Sequence, residues 1–186
     1  FGVIKILPKN TFTKDHYDFK GWSNSPSNHN VIYADEDMVK VNHPEVIGGN
    51  ILNLYAVWEI QKYTVEFVNG NETTTQTIEY GGTVQLPEAP DKVGYTFAGW
   101  YTEGGQQWQE ETTVDQNIKL YAKYEPITYS IEFDGNGADN GNAMDSSKLD
   151  VKYNEQATLP ENLFTKKYHT FKGWSTTPNG EVTFID

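Results

Sequence analysis

Cysteine is absent from the 186 residues, and so is arginine. The first absence removes disulfides, thiolate metal sites and thiol nucleophiles together. The second removes the planar fork that grips phosphates and base edges, and a net charge of −12 disfavours nucleic acid by sign as well. An anionic membrane surface would repel the chain for the same reason. No run approaches the ~20 apolar residues of a membrane span, and Phe1-Gly2-Val3-Ile4 has neither the basic lead nor the apolar stretch of a targeting segment. Helical spacing of apolar residues is scarce: Glu155–Phe164 and Glu88–Lys92 could each hold a turn or two, and a proline interrupts both. What the chain does have is aromatic mass, with five Trp, twelve Tyr and nine Phe, which suits thin domains built from half-exposed sheets.

The aromatics recur in order. Phe19-Lys20-Gly21-Trp22, Phe97-Ala98-Gly99-Trp100 and Phe171-Lys172-Gly173-Trp174 have glycines 78 and 74 residues apart, each block following a Leu-Pro pair at Leu7-Pro8, Leu86-Pro87 and Leu159-Pro160. Self-similarity at a near-fixed period marks an array of copied units. The middle copy opens with Tyr63-Thr64-Val65-Glu66-Phe67, whose alternation predicts a half-buried strand. Asn69-Gly70 turns it, Thr75–Tyr80 predicts a second strand, Val93–Tyr101 a third, and Ile118–Tyr124 closes the unit. The third copy opens alike at Tyr129–Phe133 and ends at Asp186 without a counterpart of Leu120-Tyr121-Ala122. The first begins where Phe1-Gly2 matches Tyr80-Gly81 and closes at Leu54-Tyr55-Ala56-Val57-Trp58. The expected organisation is a piece of a longer array: residues 1–60 as a repeat lacking its first strand, 61–126 as a complete repeat, and 127–186 as a repeat lacking its last. Junctions at Glu59–Lys62 and Glu125–Thr128 are short, so neighbouring repeats in the chain should be closely coupled.

These blocks resemble the Listeria–Bacteroides repeat, or internalin-B B-repeat, family: a Tyr-x-Val/Ile-x-Phe strand, a Tyr-Gly-Gly-like turn, Leu-Pro, Gly-Tyr-Thr-Phe-Ala-Gly-Trp-Tyr and a closing Leu-Tyr-Ala-x-Trp/Tyr. The likeness spans Tyr63–Tyr124 and both flanking copies, with two departures: Tyr124 stands where Trp58 has the commoner residue, and the loop Ser23–Asn53 is long. The resemblance implies β-grasp-like modules, a secreted or cell-wall-attached bacterial protein, and stalk or adhesion roles, with no catalytic residue to carry over. The expected class is therefore β-dominated, α+β at most, as tandem small β-grasp-like modules in an extended array without cofactor or membrane insertion. Lysine as the sole strong base and the abundance of asparagine fit an AT-rich, low-GC Gram-positive genome. The leading role is a stalk or spacer, and the alternative is a multivalent module adhering to host protein or glycan.

Trp22, Trp100, Trp174 and Trp108 are the candidate ligand contacts, since indoles stack on sugars and fill partner pockets, although a packing role weighs more. Strand alternation would place Phe19, Phe97 and Phe171 on the face of their glycines and the Trp opposite, making the Phe, with Tyr55 and Tyr121, the expected structural core. Asp134, Asn136 and Asp139 alternate oxygen side chains with glycine in a calcium-like loop, but Ala138 takes a ligand position and no Glu closes it. Four scattered His form no zinc spacing, and no nucleophile has a recurring base beside it.

Overall fold

The computed structural model describes residues 4–40, 51–144 and 148–185. Among them are ten strands and no helix: β1 (Ile4–Ile6), β2 (Tyr17–Ser23), β3 (Met38–Lys40), β4 (Tyr55–Ile60), β5 (Lys62–Asn69), β6 (Glu72–Glu79), β7 (Tyr95–Thr102), β8 (Ile118–Pro126), β9 (Thr128–Ile131) and β10 (Leu149–Lys152). The β-dominated expectation holds in its all-β form, and the two weak helical stretches are irregular. The ten residues 41–50 of the long first loop lie outside the described residues.

The middle copy carries a four-stranded sheet in the order β6-β5-β8-β7. A tight turn at Gly70 (φ 62°) joins β5 to β6, and the pair runs antiparallel from Lys62↔Glu79 to Asn69↔Glu72. β5 pairs with β8 in parallel, from Val65↔Ile118 to Val68↔Tyr121. Alternation sends Val65, Phe67 and Leu120 inward, where they are buried with Val84, Trp100 and Val114. The flanking copies show complementary parts of this plan. In the first, β2 pairs with β4 and β1 with β3, all antiparallel, over a core of Trp22, Tyr33 and Val39 with Leu7, Phe19, Leu52, Leu54 and Ala56 packed against it. In the third, β9 and β10 form the opening hairpin, and Met144 and Phe164 are buried.

The chain divides into two compact units, residues 1–87 with 100–121 and residues 88–99 with 122–186. Each takes part of the middle copy and contains one of the two junctions between copies.

In the first copy strand alternation fails at Phe19-Lys20-Gly21-Trp22, and the reason is a β-bulge. The register of β2 on β4 shifts between Phe19 and Gly21, so the extra residue brings positions three apart onto one face. Phe19 meets Trp22 edge-on at 5.1 Å between ring centroids, and Phe171 meets Trp174 at 5.0 Å. Phe and Trp therefore share a face instead of opposing one another. The glycines make this geometry available, at φ 144° for Gly21, 120° for Gly99 and 140° for Gly173.

Candidate functional site: the aromatic hub and the junction between copies

Each Trp of the repeated block sits at the centre of an aromatic hub. Trp100 is 3% exposed, receives Phe67 edge-on at 5.0 Å, and donates its indole N–H to the carbonyl of Pro87 at 2.8 Å. Trp174 meets Phe133 at 4.7 Å, Phe164 at 6.1 Å and Phe171 at 5.0 Å. Trp22 meets Phe12 at 6.2 Å and Phe19 at 5.1 Å. The indole nitrogens of Trp22, Trp108 and Trp174 are buried without a hydrogen-bond partner among the described residues. Burial of the hub thus falls on Trp22 and Trp100, which leaves little indole surface for a ligand.

The expected core residues sit further out. Phe19 and Phe97 are half-buried, Phe171 is exposed, and Tyr55 and Tyr121 each keep more than a third of their surface. For the two Tyr the cause is alternation, which turns the preceding Leu54 and Leu120 inward and the Tyr outward. Phe19 packs on Trp58 at 5.5 Å and Phe97 on Tyr124 at 5.6 Å, so the Tyr-for-Trp departure keeps the contact. Trp108 is half-buried and donates its backbone N–H to the carbonyl of Trp100 at 2.8 Å. In the first copy Ile32 makes that bond to Trp22, and in the third Thr183 makes it to Trp174.

The calcium-like loop spends its oxygens internally. Asp134 Oδ1 accepts the Asn136 backbone N–H at 2.7 Å, Asp139 accepts the backbone N–H of Lys167, and the Lys166 ammonium lies 3.4 Å from the Asn136 carbonyl. Among the described residues no three His, Asp or Glu side chains gather as a metal site, and no helix is long and apolar enough to cross a membrane.

A second arrangement recurs, and it lies between copies. β4 ends at Ile60 and β5 begins at Lys62; β8 ends at Pro126 and β9 begins at Thr128. One residue separates closing strand from opening strand in both cases, and its backbone bonds in both directions. Gln61 N–H donates to the His16 carbonyl at 2.9 Å, while its carbonyl accepts from Tyr80 N–H at 2.8 Å. Ile127 N–H likewise donates to the Gly94 carbonyl at 2.8 Å and its carbonyl accepts from Tyr153 N–H at 2.9 Å. His16 and Gly94 stand five residues before their hub glycines, and both take positive φ, 63° and 78°. Tyr80 lies flat on the His16 ring at 3.5 Å and edge-on to Tyr63 at 6.4 Å. Tyr153 instead covers the bare face of Gly94 and meets Tyr95 edge-on at 5.5 Å.

Polar contacts surround the first junction. Gln61 Nε2 donates to Asp18 Oδ1 at 3.0 Å, and Tyr63 Oη donates to Gln61 Oε1 at 3.1 Å. Lys20 pairs with Glu59 at 2.9 Å, and Lys62 lies 3.9 Å from Glu59 and 3.7 Å from Glu79. The hydrogen bond and charge of Lys20 hold the Glu59 carboxyl below its usual range, and Glu59 raises Lys20 by the same two causes. A lowered carboxylate pKa stabilises the fold above the unfolded value and loses that contribution as pH falls through the folded one. A raised lysine pKa stabilises below its unfolded value and loses it as pH rises through the folded one. Thermal melts of the wild type should therefore show a small decline on acidification through the carboxylate range, and Glu59→Gln should flatten part of it.

Gly94 offers a sharper test of the junction. A Cβ there would fall on the Tyr153 ring, at a φ that side chains rarely take. Gly94→Ala should cost about 1–3 kcal/mol from backbone strain alone, read in denaturant unfolding. Exchange should also quicken at the Ile127 and Tyr153 amides.

Comparison with known proteins agrees with this threefold plan. The model of the Listeria-Bacteroides repeat domain matches residues 3–56, 63–123 and 129–186. A Gly-rich membrane protein, by name, of Evansella cellulosilytica is 34% identical over 87% of this chain and 18% of its own length. Internalin H of Listeria monocytogenes is 30% identical over 69% of this chain and 24% of its own. The chain thus spans about a fifth of the length of the curated relatives it matches. Three matches covering nearly every residue show that this chain belongs to the Listeria-Bacteroides repeat domain family.

Proposed function

We propose that the chain is a non-catalytic stalk or spacer segment of a secreted or cell-wall-attached bacterial surface protein. The observation that carries the reading is the junction: one residue between strands, bonded to both copies, repeated with the same backbone pattern at Gln61 and Ile127. Loosely tethered binding modules have no need of such coupling, whereas a spacer that must hold its reach does. The burial of Trp22 and Trp100 supports the same reading, because the indoles hold modules together instead of presenting a contact surface. Each repeat, in this view, is a β-grasp-like module bounded at residues 60 and 126. The mixed order β6-β5-β8-β7, with parallel β5 and β8 at its centre, supports that assignment. The relatives named for the membrane and as internalin H support a place at the bacterial surface.

The test compares polypeptides holding one, two and four complete repeats on a glycan array and on host-cell surfaces. A spacer gives no signal at any length. Signal rising steeply with copy number, as multivalent contact requires, overturns the reading in favour of adhesion.

A further inference from the structure

We propose that Asn136 is a self-modifying site, converted to aspartate and isoaspartate by its own backbone and water, without an enzyme. The sequence holds four Asn-Gly pairs, beginning at Asn69, Asn136, Asn140 and Asn179. Asparagine is a chemically labile residue, and a following glycine leaves its amide nitrogen unhindered to reach the asparagine Cγ. All four share that neighbour, so sequence alone ranks them together. The structure separates them. Asn69 is held in the β5–β6 ladder opposite Glu72. Asn140 engages both ends of its amide: Nδ2 donates to the Leu163 carbonyl at 2.9 Å, and Oδ1 accepts from Thr165 N–H at 2.6 Å. At Asn179 the attacking group is occupied, because Gly180 N–H donates to the Thr177 carbonyl at 3.1 Å.

Asn136 carries none of these restraints. It is exposed in the loop between β9 and β10, and among the described residues neither its side-chain amide nor the Gly137 N–H has a hydrogen-bond partner. Its own peptide groups are held instead, the N–H by Asp134 Oδ1 at 2.7 Å and the carbonyl 3.4 Å from the Lys166 ammonium. That ammonium draws electrons from the Asn136–Gly137 peptide group and makes the Gly137 N–H more acidic. In the reaction the Gly137 nitrogen forms a bond to Asn136 Cγ, the Cγ–Nδ2 bond breaks, and Nδ2 leaves as ammonia with the Gly137 proton. Water then opens the five-membered imide. Attack at the side-chain carbonyl gives aspartate, and attack at the backbone carbonyl gives isoaspartate, with the chain rerouted through Cβ. Either product adds a negative charge to a loop that already carries Asp134 and Asp139. This site does not depend on whether the array serves as a spacer or an adhesin.

The test ages the intact 186-residue protein in mildly alkaline buffer, folded and in guanidinium, and follows each Asn-Gly pair by peptide mapping in a mass spectrometer. In the folded protein Asn136 should be lost first, about tenfold faster than Asn140, whose two hydrogen bonds must break beforehand. Isoaspartate should appear at position 136 ahead of the other three. In guanidinium the four rates should converge, because the restraints that rank them are gone. Folded protein in which another of the four leads, or in which all four are lost at one rate, would overturn the proposal. So would a ranking that survives in guanidinium, since it would come from local sequence. Lys166→Gln should slow the loss at Asn136 and leave the other three unchanged, and an unaltered rate there would overturn the part given to Lys166.

Discussion

Trp100→Ala should unfold the middle repeat, and with it undo the junction bonds made by Tyr80 and Gly94. A buried aromatic cut to Ala costs about 3–5 kcal/mol through lost transfer energy and the cavity left behind. Here the Phe67 face and the half-buried Pro87 carbonyl both lose their partner. A module of this size holds roughly 3–9 kcal/mol in all, so the loss is comparable with the whole. Guanidinium unfolding, with exchange read across β5 to β8, checks it. Conservative replacement adds a second reading. Trp100→Phe also forfeits the bond to Pro87, while Trp22→Phe forfeits none, because the Trp22 indole nitrogen has no partner among the described residues. The middle copy should lose more from the same exchange.

Gly21→Ala and Gly173→Ala should each collapse the strand reversal behind the hub. A Cβ on Gly21 would stand 2.5 Å from Val31 Cγ1 and 2.6 Å from the Tyr33 carbonyl oxygen; on Gly173 it would strike Val182 Cγ1 and the Phe184 carbonyl oxygen. Neither oxygen can retreat cheaply, because Trp22 N–H donates to Tyr33 and Trp174 N–H to Phe184, both at 2.8 Å. The left-handed backbone alone costs about 1–3 kcal/mol once a side chain is added, and the steric conflict comes on top. Gly70→Ala is the control: its φ is also positive, yet nothing lies within 4 Å of the added carbon. Unfolding midpoints of the three variants separate the two contributions, and equal losses in all three would refute the close-approach account.

The parts of this architecture that rest on periodicity were legible before any coordinates. The alternation of Tyr63–Phe67 gave β5, the Asn-Gly pair its turn, and the threefold Phe-x-Gly-Trp block the repeated hub. The bulge was not legible, because alternation assumes unbroken pairing and one inserted residue inverts every assignment beyond it. Hence Phe19 and Trp22 share a face where alternation set them opposite. The short junctions were legible, but their backbone partners escaped for another reason. His16 and Gly94 share a backbone conformation and a carbonyl acceptor but no side-chain chemistry, so residue similarity cannot flag them. Only their constant distance from the hub glycine could have. Tyr168, five residues before Gly173, keeps the same positive φ of 63° and is 92% exposed.

Parallel pairing of β5 with β8 has a mechanical consequence. The middle copy is entered at the start of β5 and left at the end of β8, and in a parallel pair those points lie at opposite ends of the ladder. Tension applied through the chain therefore loads the ladder in shear, so that its rungs from Val65↔Ile118 to Val68↔Tyr121 resist together. The Thr64 N–H to Asn117 Oδ1 bond at 2.8 Å and the Lys119–Glu66 pair at 2.9 Å bridge the same seam. An antiparallel arrangement of the same strands would peel one rung at a time. In the spacer role proposed above, such a segment gains from rupture that must be simultaneous.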